Sequence, residues 1–297
     1  TSLSLPSTRV DAFNITLANE FSRNGRRSGL TFAPEGGSDR MRKVINKMVS
    51  EDDLIRTVAT AFSHGWRQVK LYFMCGLPTE TDEDVLQIGE LAKRVIDTGR
   101  EVSGQRDIRC TVSIGGFVPK AHTPFQWAAQ LDHETTDSRL RKLRESVQAD
   151  KRYGRAIGVR YHDGKPGIVE GLLSRGDRRV GSVIEAVWRD GGRFDGWSEH
   201  FSYDRWATKA AEALEPFGVD LDWFTTRERF EDEVLPWDHL DSGLDREWLW
   251  QDWQDAIDPD GDGEQSLMLR QVAADAVEAA LGAGTRAPGP VHLNLPF

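Results

Sequence analysis

The chain has 297 residues, 38% hydrophobic and 29% charged, a globular balance with enough apolar material for one large or two ordinary domains. A net charge of -10 argues against a dominant polyanion-binding surface, and no run nears the roughly 20 consecutive apolar residues that span a bilayer. The opening TSLSLPSTRV shows no leader pattern, and Cys75 and Cys110 are too few for a disulfide framework or an all-cysteine metal site, so a cytoplasmic protein with reduced thiols is expected.

Along the chain, Leu3 and Leu5 alternate with serines before Pro6 and read as the end of a strand, as though the sequence opened inside a domain. Phe13, Leu17 and Phe21 predict a helix over residues 12–24, and a short strand over 29–33 follows. Ser50 with Asp53 forms a variant capping box ahead of Leu54, Ile55, Val58, Ala61 and Phe62 on one helical face, closed by Gly65. Val69, Leu71 and Phe73 alternate as a strand. After Gly76, Leu77 and Pro78 a helix runs through Val85, Leu86, Ala92, Val95 and Ile96 to Gly99, and Cys110, Val112 and Ile114 give the next strand. Strand and helix in alternation predict an α/β fold with a parallel sheet, right-handed crossovers and chemistry at the strand C-terminal ends. Barrel and doubly wound arrangements both satisfy this pattern, although no G-x-G-x-x-G opens a helix after a strand.

After residue 130 the alternation is expected to stop. Leu140, Leu143 and Val147, then Val180, Val183, Ile184 and Val187, mark helical faces of an α-rich region over 131–257. Eight of the ten tryptophans fall between Trp188 and Trp253, as a helical core or a substrate pocket, with core preferred because large aromatics dominate burial. Asp258, Asp260, Asp262 and Gly263 imitate an EF-hand loop, but its twelfth position is Leu269 and not the bidentate glutamate, so an acidic linker is the better reading.

The residues at the strand ends carry a resemblance. Thr31 to Arg40, with Glu35-Gly36-Gly37-Ser38 at its centre, followed by Val44 to Lys47, resembles the fourth-strand segment of radical S-adenosylmethionine enzymes, especially the branch fused to a cobalamin-binding-type domain and the methylthiotransferases. Lys70 to Thr81, with Gly76, Leu77, Pro78 and Glu80, is similar to their fifth strand and its turn. Val118-Pro119 to Phe125 is similar to the sixth-strand end, and Pro6 to Asp11 fits the loop after the third strand. The resemblance implies a partial parallel β/α barrel, strands three to six, over residues 1–130, followed by an α-rich extension. It also implies S-adenosylmethionine and a 4Fe-4S cluster as cofactors of the full-length relative, which cleaves S-adenosylmethionine to a radical that abstracts hydrogen from a substrate. In that family a Cys-x-x-x-Cys-x-x-Cys loop after the first strand holds the cluster. Cys75 and Cys110 cannot form it, so the expectation is a portion that is inactive alone and whose partner is an N-terminal half with the cluster and a cobalamin-type domain. Competing expectations are a non-catalytic binding or scaffolding module and a thiamine-diphosphate synthase fusion. The latter rests on Pro288 to Phe297, which resembles the first-domain end of thiamine-diphosphate-dependent synthases; residues 258–297 are of uncertain origin.

As the resemblance implies, Glu35 meets the ribose of S-adenosylmethionine; read bottom-up, it and Asp39 are acids near a helix start. Gly36, Gly37 and Ser38 bring backbone donors to the cofactor or form an ordinary tight turn. Gly76, Leu77 and Pro78 shape an adenine slot or merely lead into a cap at Thr79 or Thr81, and Glu80, Val118 and Pro119 complete the candidate cofactor set. His122 in the sixth-strand segment, and His162 in a hairpin-like turn, read as surface or packing residues in preference to substrate or cofactor contacts. Arg175, Arg178 and Arg179 suit either a phosphate or a salt-bridged helix start.

Overall fold

The structure, a computed structural model, describes residues 29–258. The opening strand, the helix expected over 12–24, the acidic loop beyond Asp258 and the tail lie outside the described residues. The fold is α/β, a partial parallel β/α barrel followed by an α-rich extension. Its first part runs β1 (Leu30–Glu35), α1 (Asp39–Val44), α2 (Glu51–Ser63), β2 (Gln68–Cys75), α3 (Asp82–Ser103), β3 (Arg109–Gly116), α4 (His133–Ala149) and β4 (Ile157–Tyr161).

The strands lie in the order β1-β2-β3-β4, every neighbouring pair parallel, with Leu71 opposite Phe32 on one side and Val112 on the other. Period two sends Phe32, Leu71, Phe73, Val112 and Ile114 to one face, where they pack in a single core with Val58 and Phe62 of α2, Ile88 and Val95 of α3, and Leu140 and Leu143 of α4. Sequential strand order with these helices on the same face is a sector of a barrel and not a doubly wound sheet, whose order reverses. The opposite face carries Thr31, Ala33 and Glu35, Lys70 and Tyr72, and Thr111 and Ser113, all half-buried.

Two details differ from the sequence reading. Alternation does not stop at residue 130: α4 is a crossover, and β4 pairs with β3 from Cys110↔Ile157 to Ile114↔Tyr161. His162 accordingly sits in the strand-to-helix turn after β4, not in a hairpin. Nor does Gly99 end α3, which continues to Ser103 and is capped by left-handed Gly104. Gly99 is buried inside the helix because a Cβ there would lie 2.8 Å from both Ile108 and Phe62. The capping box of α2 forms as expected, Asp53 N–H donating to Ser50 Oγ and Ser50 N–H to Asp53.

The extension comprises α5 (Gly164–Arg175), α6 (Val180–Arg189), α7 (Tyr203–Leu214), α8 (Leu221–Phe224) and α9 (Arg246–Ile257). Leu172, Val183, Trp206 and Phe224 fill one core, and Trp127, Leu235, Trp237, Leu249 and Trp253 another. The tryptophans divide: Trp206, Trp237 and Trp253 are buried, whereas Trp188 and Trp197 are 54% and 58% exposed. No helix of the described residues is long and apolar enough to cross a membrane.

Candidate functional site

The C-terminal edge of the sheet gathers the candidate residues on the loops after β1, β2 and β3. Glu35 closes β1 at a register irregularity with φ of 67°, a left-handed conformation that a non-glycine residue adopts only when its surroundings enforce it. Its carboxylate is on the open face, 3.8 Å from Lys47 Nζ. Burial raises its pKa, and Lys47 opposes the rise.

The glycines and Ser38 are held firmly. A Cβ on Gly37 would lie 2.3 Å from the Asp84 carbonyl oxygen and 2.7 Å from Ile88, so only glycine lets the loop touch the start of α3. Buried Arg42 donates to the Gly36 carbonyl at 2.9 Å and caps the loop from below. Ser38 is the N-cap of α1: its Oγ accepts from Met41 N–H at 3.1 Å and donates to Asp84 Oδ1 at 2.6 Å. Arg40 reaches the other oxygen of Asp84 and donates to the Thr79 carbonyl at 2.8 Å. Burial works to raise the Asp84 pKa, but the bonds from Arg40, Ser38 and Thr81 together outweigh it and hold the carboxyl down to about 2. Asp84 is thus the ionised bolt joining the loops after β1 and β2. Sequence reasoning missed it because it also reads as the third acid of a helix start, the role it plays in the α3 capping box with Thr81.

After β2, Gly76 has φ of 92° and donates its N–H to Glu80 Oε2 at 2.6 Å. Glu80 is buried, with Arg139 Nη1 3.5 Å away, and its Oε1 has no hydrogen-bond partner among the described residues. Burial pushes its carboxyl up to about 7, against the lowering influence of the Gly76 N–H and Arg139. Glu80 therefore braces the turn from inside. Leu77 turns into an apolar cluster with Met41, Val44 and Ala256, and Pro78 is half-buried. Val118 and Pro119 are buried beyond β3, where Phe117 N–H donates to the Cys75 carbonyl at 2.8 Å. The structure thus brings the three loops to one edge, with Glu35 alone among the candidate acids presenting a partly exposed carboxylate there.

His122 follows with φ of 55°, half-buried, its N–H donating to Gln126. Of the three arginines singled out in the extension, Arg178 is exposed and the other two are already engaged by the protein. Arg175 is fully buried and donates to the carbonyls of Thr225 at 2.7 Å and Ala128 at 2.8 Å, while Arg179 is engaged by Asp177 at 2.7 Å.

For an iron-sulfur cluster the residues present do not fit. Cys75 and Cys110 are buried in the helix-facing core, where burial pushes the Cys110 thiol up to about 12 and raises Cys75 too. No group of three or more His, Cys, Asp or Glu among the described residues could hold a metal ion. For S-adenosylmethionine the fit is better: a half-buried carboxylate at the strand end, beside a polar open face, accepts hydroxyl hydrogen bonds.

Residues 1–92 match the Radical SAM superfamily, a stretch that includes β1, β2 and their two loops. An uncharacterized protein of Methanocaldococcus jannaschii is 34% identical over 170 residues, 57% of this chain and 35% of that protein. The chain spans about a third of the length of the curated relative it matches.

Proposed function

We propose that this chain supplies the adenosylmethionine-facing half of the barrel in a radical S-adenosylmethionine enzyme, with the cluster cysteines contributed by sequence outside these 297 residues. The observation that carries the reading is the superfamily match over residues 1–92, which falls on the strand ends where Glu35 presents its carboxylate. The cluster, where bound, supplies the electron for reductive cleavage of S-adenosylmethionine. This chain's part is to orient: Glu35 accepts from the ribose hydroxyls, and the Gly36-Gly37 turn, locked against α3, keeps the loop close to the sheet edge. Glu80 and Asp84 hold the loops and do not touch the cofactor. The finer assignment to the cobalamin-linked branch is part of this proposal and rests on the residues that resemble it. Arg175 in that stretch acts by holding backbone and not by binding ligand.

Equilibrium dialysis under anaerobic conditions tests the reading, using a form of the protein that also carries the cluster cysteines. Glu35→Ala should weaken S-adenosylmethionine binding about ten- to a hundredfold, the worth of a charge-assisted hydrogen bond, with the cluster spectrum and melting temperature unchanged. Equal affinities would leave Glu35 a strand-end acid. A stoichiometric cluster on the 297-residue chain alone would overturn the division of labour. A non-catalytic module is favoured instead if neither form binds S-adenosylmethionine.

A further inference from the structure

A cavity of about 560 Å³ opens between the loop after β3 and the segment leading into α9, within the size range of small-molecule sites. Its floor holds Leu244, Leu249 and the side chain of Gln126, which is 3% exposed. Trp237 Nε1 donates to Gln126 Oε1 at 2.6 Å, and the His122 backbone N–H donates to the same oxygen at 3.1 Å. Two donors on one atom fix the amide orientation, so the opposite end is the NH₂ group. That nitrogen donates to no group among the described residues, so Gln126 offers a free hydrogen-bond donor at the cavity wall.

The rim has the opposite character. Arg246 donates to Asp238 and to the carbonyls of Glu231 and Glu233 at 2.7, 2.7 and 2.8 Å, so one guanidinium fixes the rim loop. Asp238 and Glu233 have their own cations, Arg246 and Arg227. Glu231, Asp232 and Asp241 line the same cavity with no ion-pair partner among the described residues, leaving the mouth negative. Val234 and Leu240 stand on this rim 84% and 57% exposed. A bare metal ion does not answer this arrangement: no three acidic or imidazole groups here could hold one, and a metal offers nothing to the Gln126 amide.

We infer that this cavity binds a small organic cation, an ammonium group on an apolar body that ends in a hydrogen-bond acceptor. The acceptor meets Gln126 Nε2 at the floor, the body covers Leu244 and Leu249, and the ammonium lies among the unpaired carboxylates of the rim. The inference rests on the cavity alone and is independent of radical chemistry.

The matched probes are 6-aminohexanamide and hexanamide, which share the chain and the carbonyl acceptor and differ by the ammonium. In calorimetric titration of the 297-residue chain at low ionic strength, 6-aminohexanamide should bind at least tenfold more tightly than hexanamide. The exposed double substitution Asp232→Asn, Asp241→Asn should remove about that factor for the amine and leave the neutral probe unchanged. Gln126→Met should weaken both probes; should it fail to fold, the rim variant still decides the question. Equal affinities of the two probes, no binding of either, or displacement of the amine by stoichiometric magnesium would each overturn the inference.

Discussion

The β/α part and the extension are built by different physics. Between Leu30 and Tyr161 the core between sheet and helices is apolar, and strands and helices meet there through side chains spaced at two and 3.6 residues. In the extension, the loops between helices are held by buried cations. Arg175 ties α5 to Thr225 and Ala128, and Arg229, itself buried, returns a bond to the Arg175 carbonyl at 2.9 Å. Burial, then the like charges of Arg229 and Arg227, lower Arg175 to about 9, so it remains charged at neutral pH. The first region tolerates volume-conserving change; the second depends on single polar groups with no substitute.

The sharpest way to break this comparison is Arg175→Ala. The carbonyls of Thr225 and Ala128 would lose the guanidinium in a place where Arg175 is fully buried, at a cost of about 3–5 kcal/mol. Trp206 and Trp253 in the extension's cores would report it as a lowered urea midpoint in tryptophan fluorescence, while amide exchange in β2 and β3 should stay slow until global unfolding. Uniform loss of protection across both regions would show that they stand or fall together.

That contrast also explains what was legible in the sequence. Strands β1 to β3 and helices α2 to α4 were readable because their partners are encoded as local periodicity, as in Val69, Leu71 and Phe73. β4 was missed although Ile157, Val159 and Tyr161 alternate, because five residues interrupted by Gly158 and Arg160 are a faint signal beside the long helical face before them. Arg175 read as either an anion gripper or a salt-bridged helix start, and nothing nearby pointed to its actual role: its acceptors lie 47 and 50 positions away. At the site, Glu35 and the glycine turn were singled out through the family resemblance of their strand-end segment. Asp84, Arg42 and the Gln126 floor were not, since each acts through contacts that only the folded chain creates.

A second, smaller effect sharpens the same comparison inside the β/α part, where Glu80 is a buried carboxylate at the end of the apolar core. Its carboxyl lies at about 7 in the folded chain against an ordinary glutamate value of 4.5, so the folded state binds its proton more tightly than the unfolded state. The sign follows: this stabilising contribution is fully present below about pH 4.5 and is lost as pH rises through 7, a change of about 2–3 kcal/mol. Glu80→Gln keeps an acceptor for the Gly76 N–H and removes the charge. Its melting temperature relative to the wild type should therefore climb from pH 5 to pH 8. Parallel pH profiles would show that Arg139, at 3.5 Å, compensates the buried carboxylate fully.

The smallest effect separates holding from binding at the candidate site itself. Ser38 caps α1 through Met41 N–H and donates to Asp84, so its hydroxyl is occupied on both sides by the protein. Ser38→Ala should cost about 1–2 kcal/mol, the worth of an N-cap together with a hydrogen bond to a charged acceptor. The loss should appear in thermal unfolding, and Ser38→Thr, which retains the hydroxyl, should recover most of it. S-adenosylmethionine affinity in the cluster-bearing form should fall much less than in Glu35→Ala, because Glu35 has a carboxylate to offer and Ser38 has no free hydrogen to give. If Ser38→Ala instead leaves stability intact and lowers affinity as far as Glu35→Ala does, the hydroxyl must turn away from Asp84 toward the ligand. The loop after β1 would then be a moving part of the site and not the rigid support that Gly37, Arg42 and Asp84 make it.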